Sequence, residues 1–379
     1  MNLPFAKIKS LFLNLDWVLI FPLIPIISFG LITMFSFVEV NTYFYRQIVW
    51  LGISITAFLI VSMIDFKFLR RTAVITWLYL ISAGLLLFLF AVGSVFQGAQ
   101  SWLDFGLFSF QPAEFAKLVL VLTLAKYFSR RHIEIQNIRH IIVSGIYAFI
   151  IFILVLFQPD FGSAIIIFLI WFGMVLVSGI SKKHLTTVFL LGVVSVAFLW
   201  VFIFHDYQKA RIMNFIHPLE DIRGTGYNAY QSMVAVGSGQ VLGKGVGYGT
   251  QSRLKFLPEY QTDFIFSAYA EEWGFVGVLI LFALYILFIF RILHNAVKGA
   301  TNFEVLFGVG LAIIFISHFF VHVGMNIGVL PITGLTMPFM SYGGTNLLIS
   351  FVGLGILMSM RRYSTATHRD VYKNEMVGV

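Results

Sequence analysis

Apolar runs long enough to cross a bilayer, about 18 residues or more, recur from near the start of this chain almost to its end. Inside a bilayer every backbone N–H and C=O must be satisfied within the protein, which leaves helices or a closed barrel as the spanning structures. Runs of this length select the helix. The chain is therefore expected to be an all-α, polytopic integral membrane protein with about ten transmembrane helices. The spans are expected near Trp17–Phe37, Ile48–Ile64, Val74–Phe96, Pro112–Phe128, Ile141–Phe157, Phe161–Gly179, Leu185–Phe204, Phe264–Phe290, Val305–Met325 and Phe339–Met360. The fourth is the weakest, because it is short and carries Glu114 and Lys117. Only 11% of residues are charged, where a soluble domain carries roughly 25%. Cysteine is absent, which excludes disulfides and thiolate chemistry.

Lys and Arg set the direction of the chain through the membrane. Lys7 and Lys9 precede the first span. Alternate connections then hold Lys67, Arg70 and Arg71; Lys126, Arg130, Arg131 and Arg139; Lys182 and Lys183; and Arg291 and Lys298, before Arg361, Arg362, Arg369 and Lys373 at the end. These are 17 of the 25 basic residues, all on one side. Both termini are thus expected to be cytoplasmic, with a long extracytoplasmic loop, about 205–262, between helices 7 and 8. The net charge of +8 is mostly this topology signal, and no nucleic-acid partner is expected. The first apolar run lacks a small-residue cleavage site and reads as an anchor. Residues 1–379 read as a single membrane domain. The outer loop is too glycine-rich and short for a large core of its own, so short amphipathic pieces folded over the membrane surface are expected.

Asp263 stands where this loop returns to an apolar helix, in Leu257-Pro258-Glu259-Tyr260-Gln261-Thr262-Asp263-Phe264. A carboxylate at that interface is partly shielded from water, which can raise its pKa, and it can still reach a lipid-linked substrate. Glu271 and Glu272 follow, roughly 12 Å deeper on the same helix. At least one is expected to pair with another helix in a structural role. Glu114 and Lys117 share a helix face at i, i+3, after Gln111 and with Pro112 in the first turn. They fit either a buried ion pair or the polar wall of a substrate cavity. Asp160, in Gln158-Pro159-Asp160-Phe161-Gly162-Ser163, fits a helix cap or the same cavity.

The loop string Gly237-Ser238-Gly239-Gln240-Val241-Leu242-Gly243-Lys244-Gly245 nearly matches a P-loop but lacks its first glycine and its Ser or Thr, and it faces the wrong side for ATP. A phosphate cradle built from this backbone with Lys244, Arg211, Arg253 and Lys255 is one reading; solvated basic residues on a flexible loop are the other. His318 and His322 have zinc-like spacing without a third ligand, so interhelical hydrogen bonding is expected and no metal site. From Gly324 to Gly344 the chain has Pro331, Pro338 and several glycines but no charge. A broken or re-entrant segment lining a cavity is expected there.

Taken together these pieces resemble the SEDS family (shape, elongation, division, sporulation), most closely its RodA branch. The matching residues are Gly98-Ala99-Gln100-Ser101-Trp102, Gln111-Pro112-Ala113-Glu114, Gln158-Pro159-Asp160, His205-Asp206-Tyr207-Gln208-Lys209-Ala210-Arg211, Gly226-Tyr227-Asn228 through Gln231-Ser232, Gly243-Lys244-Gly245, Leu257 to Phe264, Asn326-Ile327-Gly328 and Pro338-Phe339-Met340-Ser341-Tyr342-Gly343-Gly344. The chain departs from the family pattern at Ser101, Tyr260-Gln261 and Thr345-Asn346. The resemblance implies a peptidoglycan glycosyltransferase of cell elongation in the bacterial inner membrane. Its substrate would be lipid II, an undecaprenyl-pyrophosphate-linked disaccharide peptide. Its partners would be a class B penicillin-binding protein and the elongation machinery. The family's essential aspartate falls on Asp263, its intramembrane pair on Glu114 and Lys117, and its outer tryptophan on Trp102. Asp160 and Ser341, Tyr342 and Gly343 match further functional positions.

The reaction needs a base for a sugar hydroxyl and positive charge for a departing pyrophosphate. Asp263 is the expected base, and Arg211, Lys244 and Lys255 are the candidate pyrophosphate contacts. A divalent cation would suit that leaving group, although no dedicated cage is visible. Ten spans, midplane charges and a broken segment also fit a lipid II flippase, and a scaffold for other wall enzymes is a third reading.

Overall fold

The expected span with the weakest sequence signal forms a helix, residues 112–129, that is among the most deeply buried. The structure, a computed structural model, describes residues 15–36, 42–96, 99–106, 108–130, 138–179, 182–202, 209, 213, 215, 216 and 226–376. In chain order its helices are α1 (Trp17–Ile20), α2 (Leu23–Phe35), α3 (Thr42–Met63), α4 (Thr72–Val92), α5 (Pro112–Ser129), α6 (Ile138–Leu156), α7 (Phe161–Val177), α8 (Lys182–Phe202), α9 (Tyr227–Ser238), α10 (Thr250–Arg253), α11 (Ile265–Val297), α12 (Asn302–Asn326) and α13 (Gly344–Met376). Among the described residues seven spans are long and apolar enough to cross a membrane: α1 with α2, then α3, α4, α6, α11, α12 and the first part of α13. Helices α5, α7 and α8 occupy the other three expected positions. Buried residues run all round α5, which packs against α4, α6, α7, α12 and α13. Its surroundings are protein rather than lipid, and that permits the charges that weaken its sequence signal.

Helix ends follow local chemistry. Asp160 caps α7 by accepting from the Ser163 N–H at 2.9 Å, and Pro112 begins α5 where no N–H is needed. The first expected span is interrupted at Phe21–Pro22 and resumes as α2. The third stops at Val92, because Gly93 is extended. The last begins at Gly344 rather than Phe339, since residues 339–342 form a turn with Phe339 at φ +63°. Three short strands add to the helical fold: β1 (Ser94–Phe96), β2 (Ala99–Asp104) and β3 (Ser109–Phe110). They form an antiparallel sheet in that order, with Ser94 opposite Trp102 and Leu103 opposite Phe110.

The glycine-rich loop string is part of a break in α11. Gly274 has φ +65° and ψ −168° inside that helix. Its neighbours bond the loop instead of their own helix: Lys244 and Gly245 N–H donate to the carbonyls of Glu271 and Glu272, and Phe275 and Val276 N–H donate to those of Gln240 and Val241. A Cβ on Gly274 would lie 2.2 Å from Gly243 N, and one on Gly243, at φ +80°, would lie 2.1 Å from Glu272 O. The Lys244 and Gly245 amides are thereby engaged by α11 and not open to a phosphate. Gly274→Ala is expected to cost about 1–3 kcal/mol from backbone strain alone and to expose the outer loop to protease. A melting curve and limited proteolysis in detergent check this, and wild-type behaviour in both would refute the inserted loop.

Glu271 finds its partners on other helices and the loop between them: Ser238 of α9, Lys244, and Thr250 and Gln251 of α10. It is fully buried and accepts from Lys244 Nζ at 2.7 Å, Thr250 Oγ1 at 3.1 Å and Gln251 N–H at 3.1 Å. Glu272 accepts from the Gly247 N–H at 2.7 Å.

At the opposite end Asp16 gathers Arg291 at 2.6 Å, Asn295 at 2.7 Å and Arg361 at 3.0 Å. Burial raises the Asp16 pKa, but the hydrogen bonds from Arg291 and Asn295 and the charges of Arg361 and Arg291 outweigh it and hold it below the usual value. Stability from this lowered pKa is present above the unfolded value, about 3.9, and is lost as pH falls through the folded one. Asp16→Asn should therefore melt below wild type at pH 7, and the gap should close as pH falls through the lowered folded-state pKa of Asp16. A gap independent of pH would contradict the ion cluster.

Candidate active site

Three successive backbone carbonyls hold Asp263 in place. Gln261 O accepts from Tyr342 N–H at 2.8 Å. Thr262 O accepts from Ser341 Oγ at 2.7 Å. Asp263 O accepts from Asn326 Nδ2 at 2.9 Å. The carboxylate is half-buried at the start of α11, and a Cβ on exposed Gly334 would lie 3.6 Å from its Oδ2. The backbone of the aspartate is thus fixed from three points while its side chain borders an open surface. The Asn326 side chain also accepts from Ser267 Oγ at 2.7 Å and donates to His322 O at 2.8 Å.

Two of the gripping residues, Ser341 and Tyr342, belong to an uncharged strap between α12 and α13, residues 327–343, which is broken as expected; the third, Asn326, ends α12. The strap's second half, residues 335–343, is largely buried, and the irregular backbone there is not left unsatisfied. His322 Nδ1 bonds Leu335 O at 2.7 Å, His318 Nδ1 bonds Thr336 O at 3.3 Å, and Tyr285 donates to Pro338 O. Met337 N–H donates to Ser341 Oγ at 2.8 Å. These side chains supply what a membrane interior cannot. His318 and His322 act here as interhelical and strap contacts.

Gln47, buried on α3, clasps the strap's turn. Its Nε2 donates to Ser341 O at 3.1 Å, and its Oε1 accepts from Gly343 N–H at 3.3 Å. One turn earlier, the ring of Tyr43 meets that of Tyr342 edge-on at 4.9 Å. The sequence reading missed Gln47. Its only signal is an amide following Arg46 at the outer start of an apolar helix.

The second half of the site lies behind the strap. Glu114 Oε1 accepts from Lys117 Nζ at 2.7 Å, and Glu114 Oε2 from Asn346 Nδ2 at 3.1 Å. Lys117 Nζ donates to His318 Nε2 at 3.0 Å. That contact, with Nδ1–H given to Thr336 O, fixes the neutral tautomer of His318. Beside them is a cavity of about 20 Å³, bordered also by Pro338 and Ser350, which is water-sized against a minimum of about 10–15 Å³. Asp160 accepts from Gln111 Nε2 at 3.0 Å, and Thr345 Oγ1 joins Gln111 N–H to Ser109 O. Two departures from the family pattern, Thr345 and Asn346, therefore stitch the strap's end to α5 and β3.

The structure thus brings Asp263 together with Ser341, Tyr342 and Gly343, and Glu114 with Lys117; residues 341–346 link the two groups. Trp102 is half-buried on β2. Lys255 is exposed at φ +59°, just after α10. Lys244 is held by Glu271 and by Thr250. Arg211 lies outside the described residues, as do His205 to Gln208.

A helical membrane bundle with a half-buried outer carboxylate, gripped by an uncharged strap, defines a polytopic membrane protein with its polar site at one face. The chain belongs to the FtsW/RodA/SpoVE family, described as cell cycle proteins, whose model matches residues 9–366. It is 40% identical over 295 residues, 78% of each chain, to the peptidoglycan glycosyltransferase MrdB of Escherichia coli. A solved structure described as "Structural coordination of polymerization and crosslinking by a peptidoglycan synthase complex" matches with TM-score 0.79 and 30% identity, covering 92% of this chain and 98% of the other. The rod shape determining protein RodA of Thermus thermophilus matches with TM-score 0.69 and 29% identity, covering 92% and 96%.

Proposed function

We propose that the chain is a peptidoglycan glycosyltransferase that polymerises lipid II into glycan strands during cell elongation, at the outer face of the bacterial inner membrane. The observation that carries this reading is the half-buried Asp263 carboxylate, whose backbone is held by Tyr342, Ser341 and Asn326. Preorganisation of that kind is what a base needs to act without rearrangement.

Asp263 takes the proton from the acceptor sugar hydroxyl as its oxygen bonds to the donor's anomeric carbon. The bond from that carbon to the lipid pyrophosphate breaks, and the electron pair leaves with the pyrophosphate. Attack opposite the leaving group inverts the anomeric centre. Arg211 and Lys255 supply positive charge for the departing group. Lys244, engaged by Glu271, contributes its charge less directly. Trp102 stacks on sugar or lipid. Glu114, Lys117 and Asp160 fix the wall behind the strap. The partner is a class B penicillin-binding protein, which cross-links the product.

Polymerisation of labelled lipid II by the purified protein in detergent, alone and with its transpeptidase partner, tests the reading. Long glycan from wild type is the expected result. No glycan in either arm, together with lipid II movement across sealed vesicles, would replace the enzyme with a flippase. The water-sized cavity beside Glu114 and Lys117 favours the enzyme, because it is far too small for a disaccharide.

A further inference from the structure

The peptide group between Ser341 and Tyr342 is held at both ends. It is trans, so its C=O and N–H point in opposite directions. On one side Tyr342 N–H donates to Gln261 O at 2.8 Å, two residues before Asp263. On the other, Ser341 O accepts from Gln47 Nε2 at 3.1 Å. The same side chain holds the next peptide, since Gln47 Oε1 accepts from Gly343 N–H at 3.3 Å. Tyr43, one turn earlier on the same face of α3, meets the Tyr342 ring edge-on at 4.9 Å. Helix α3 thus grips Tyr342 before it, after it and at its side chain.

This arrangement selects one of two orientations of that peptide. Turned over, it would set Ser341 O against Gln261 O, acceptor against acceptor, and withdraw the N–H that fixes the loop. Gln47 opposes the turn, because its Nε2 is a donor and can face only an acceptor. Glutamine suits the task, since its terminal amide carries donors and an acceptor in one plane. Gln47 is buried, and bonds at the two ends of one peptide group polarise each other in such a setting. Ser341 also donates from Oγ to Thr262 O at 2.7 Å. An orientation set by Gln47 is therefore passed to both of the carbonyls that precede Asp263.

We infer that Gln47 is a positioning residue for glycosyl transfer: it holds the 341–342 peptide in the orientation that aims Tyr342 N–H at the Asp263 loop, and so sets the angle of the carboxylate toward the acceptor sugar. This rests on the function proposed above. The test compares full-length wild type with two variants. Gln47→Leu keeps the bulk and removes both bonds; Gln47→Asn keeps the amide but is one methylene too short to span Ser341 O and Gly343 N–H. On labelled lipid II, kcat should fall about ten- to a hundred-fold, the cost of a displacement of about 1 Å, with KM within about two-fold of wild type. Adding Gln47→Leu to Asp263→Asn should cause no further loss, because no base is left to position. Losses that multiply in the double variant, or a KM that rises while kcat holds, would overturn the inference and leave Gln47 as a partner for two buried backbone groups.

A second readout needs no turnover. Well below the melting point of each variant, amide hydrogen exchange should be faster than in wild type at Tyr342 and Gly343 and, through them, at Thr262 and Asp263. Unchanged exchange at Thr262 and Asp263 would break the relay and overturn the inference even where activity falls. A wild-type protein that polymerises nothing, with the exchange difference present, would sink the proposed function and with it the catalytic role of Gln47, while its hold on the loop would stand.

Discussion

Asp263→Asn is expected to lower glycan polymerisation by about a hundred- to ten-thousand-fold, the usual contribution of a positioned general base. Asparagine keeps the size of the side chain, and the three clasps on the main chain do not involve the carboxylate. Folding and lipid II binding should therefore be nearly unchanged. Asp263→Glu makes the complementary test. It retains the base but pushes it outward by one methylene, past Gly334, and a displacement of about 1 Å from productive geometry can cost a hundred-fold. Polymerisation of labelled lipid II, with a melting curve for each variant, reads both. Asn activity within a few-fold of wild type would remove Asp263 from the chemistry.

Lys117→Met is expected to cost stability rather than chemistry alone. Lys117 is 1% exposed, and its ammonium serves both Glu114 and His318. Removing one partner of a buried pair typically costs about 3–5 kcal/mol, because the other charge is left without compensation. The double variant Glu114→Gln with Lys117→Met leaves no stranded charge, so it should recover a large part of that loss. Unfolding in detergent for both singles and the double forms the cycle. Strict additivity would mean that the pair is not coupled as its 2.7 Å contact indicates.

Spans were legible where apolar length alone decides them, as in α3, α6 and α12. Helix α5 was harder to read, because its charges look expensive until the surrounding helices are known. The position of Asp263 at the loop's return was also legible, and so was the uncharged, broken character of the strap. The identity of the strap's contacts was not. Gln47 lies 294 residues from Ser341 in the chain, and nothing in its own neighbourhood marks it as the clasp. The use of the loop glycines was illegible for a related reason. Gly243 suggests a phosphate cradle locally, whereas its purpose is set by Gly274, a glycine unremarkable in sequence that opens α11 to receive it. Local pattern reports what a backbone can do; the partner that uses this freedom is a tertiary fact.

The clasp on residues 261–263 also bears on biosynthesis. Two of its three donors, Ser341 and Tyr342, come from the turn just ahead of the last helix, and that turn is itself closed by Gln47 from the second span. As the chain leaves the ribosome, the aspartate reaches the outer surface well before the residues that hold it. The clasp on this loop is completed only once the turn that leads into α13 is in place. A nascent or prematurely terminated chain that lacks this turn would carry the acid without its geometry, so ordering of the loop is tied to the insertion of α13.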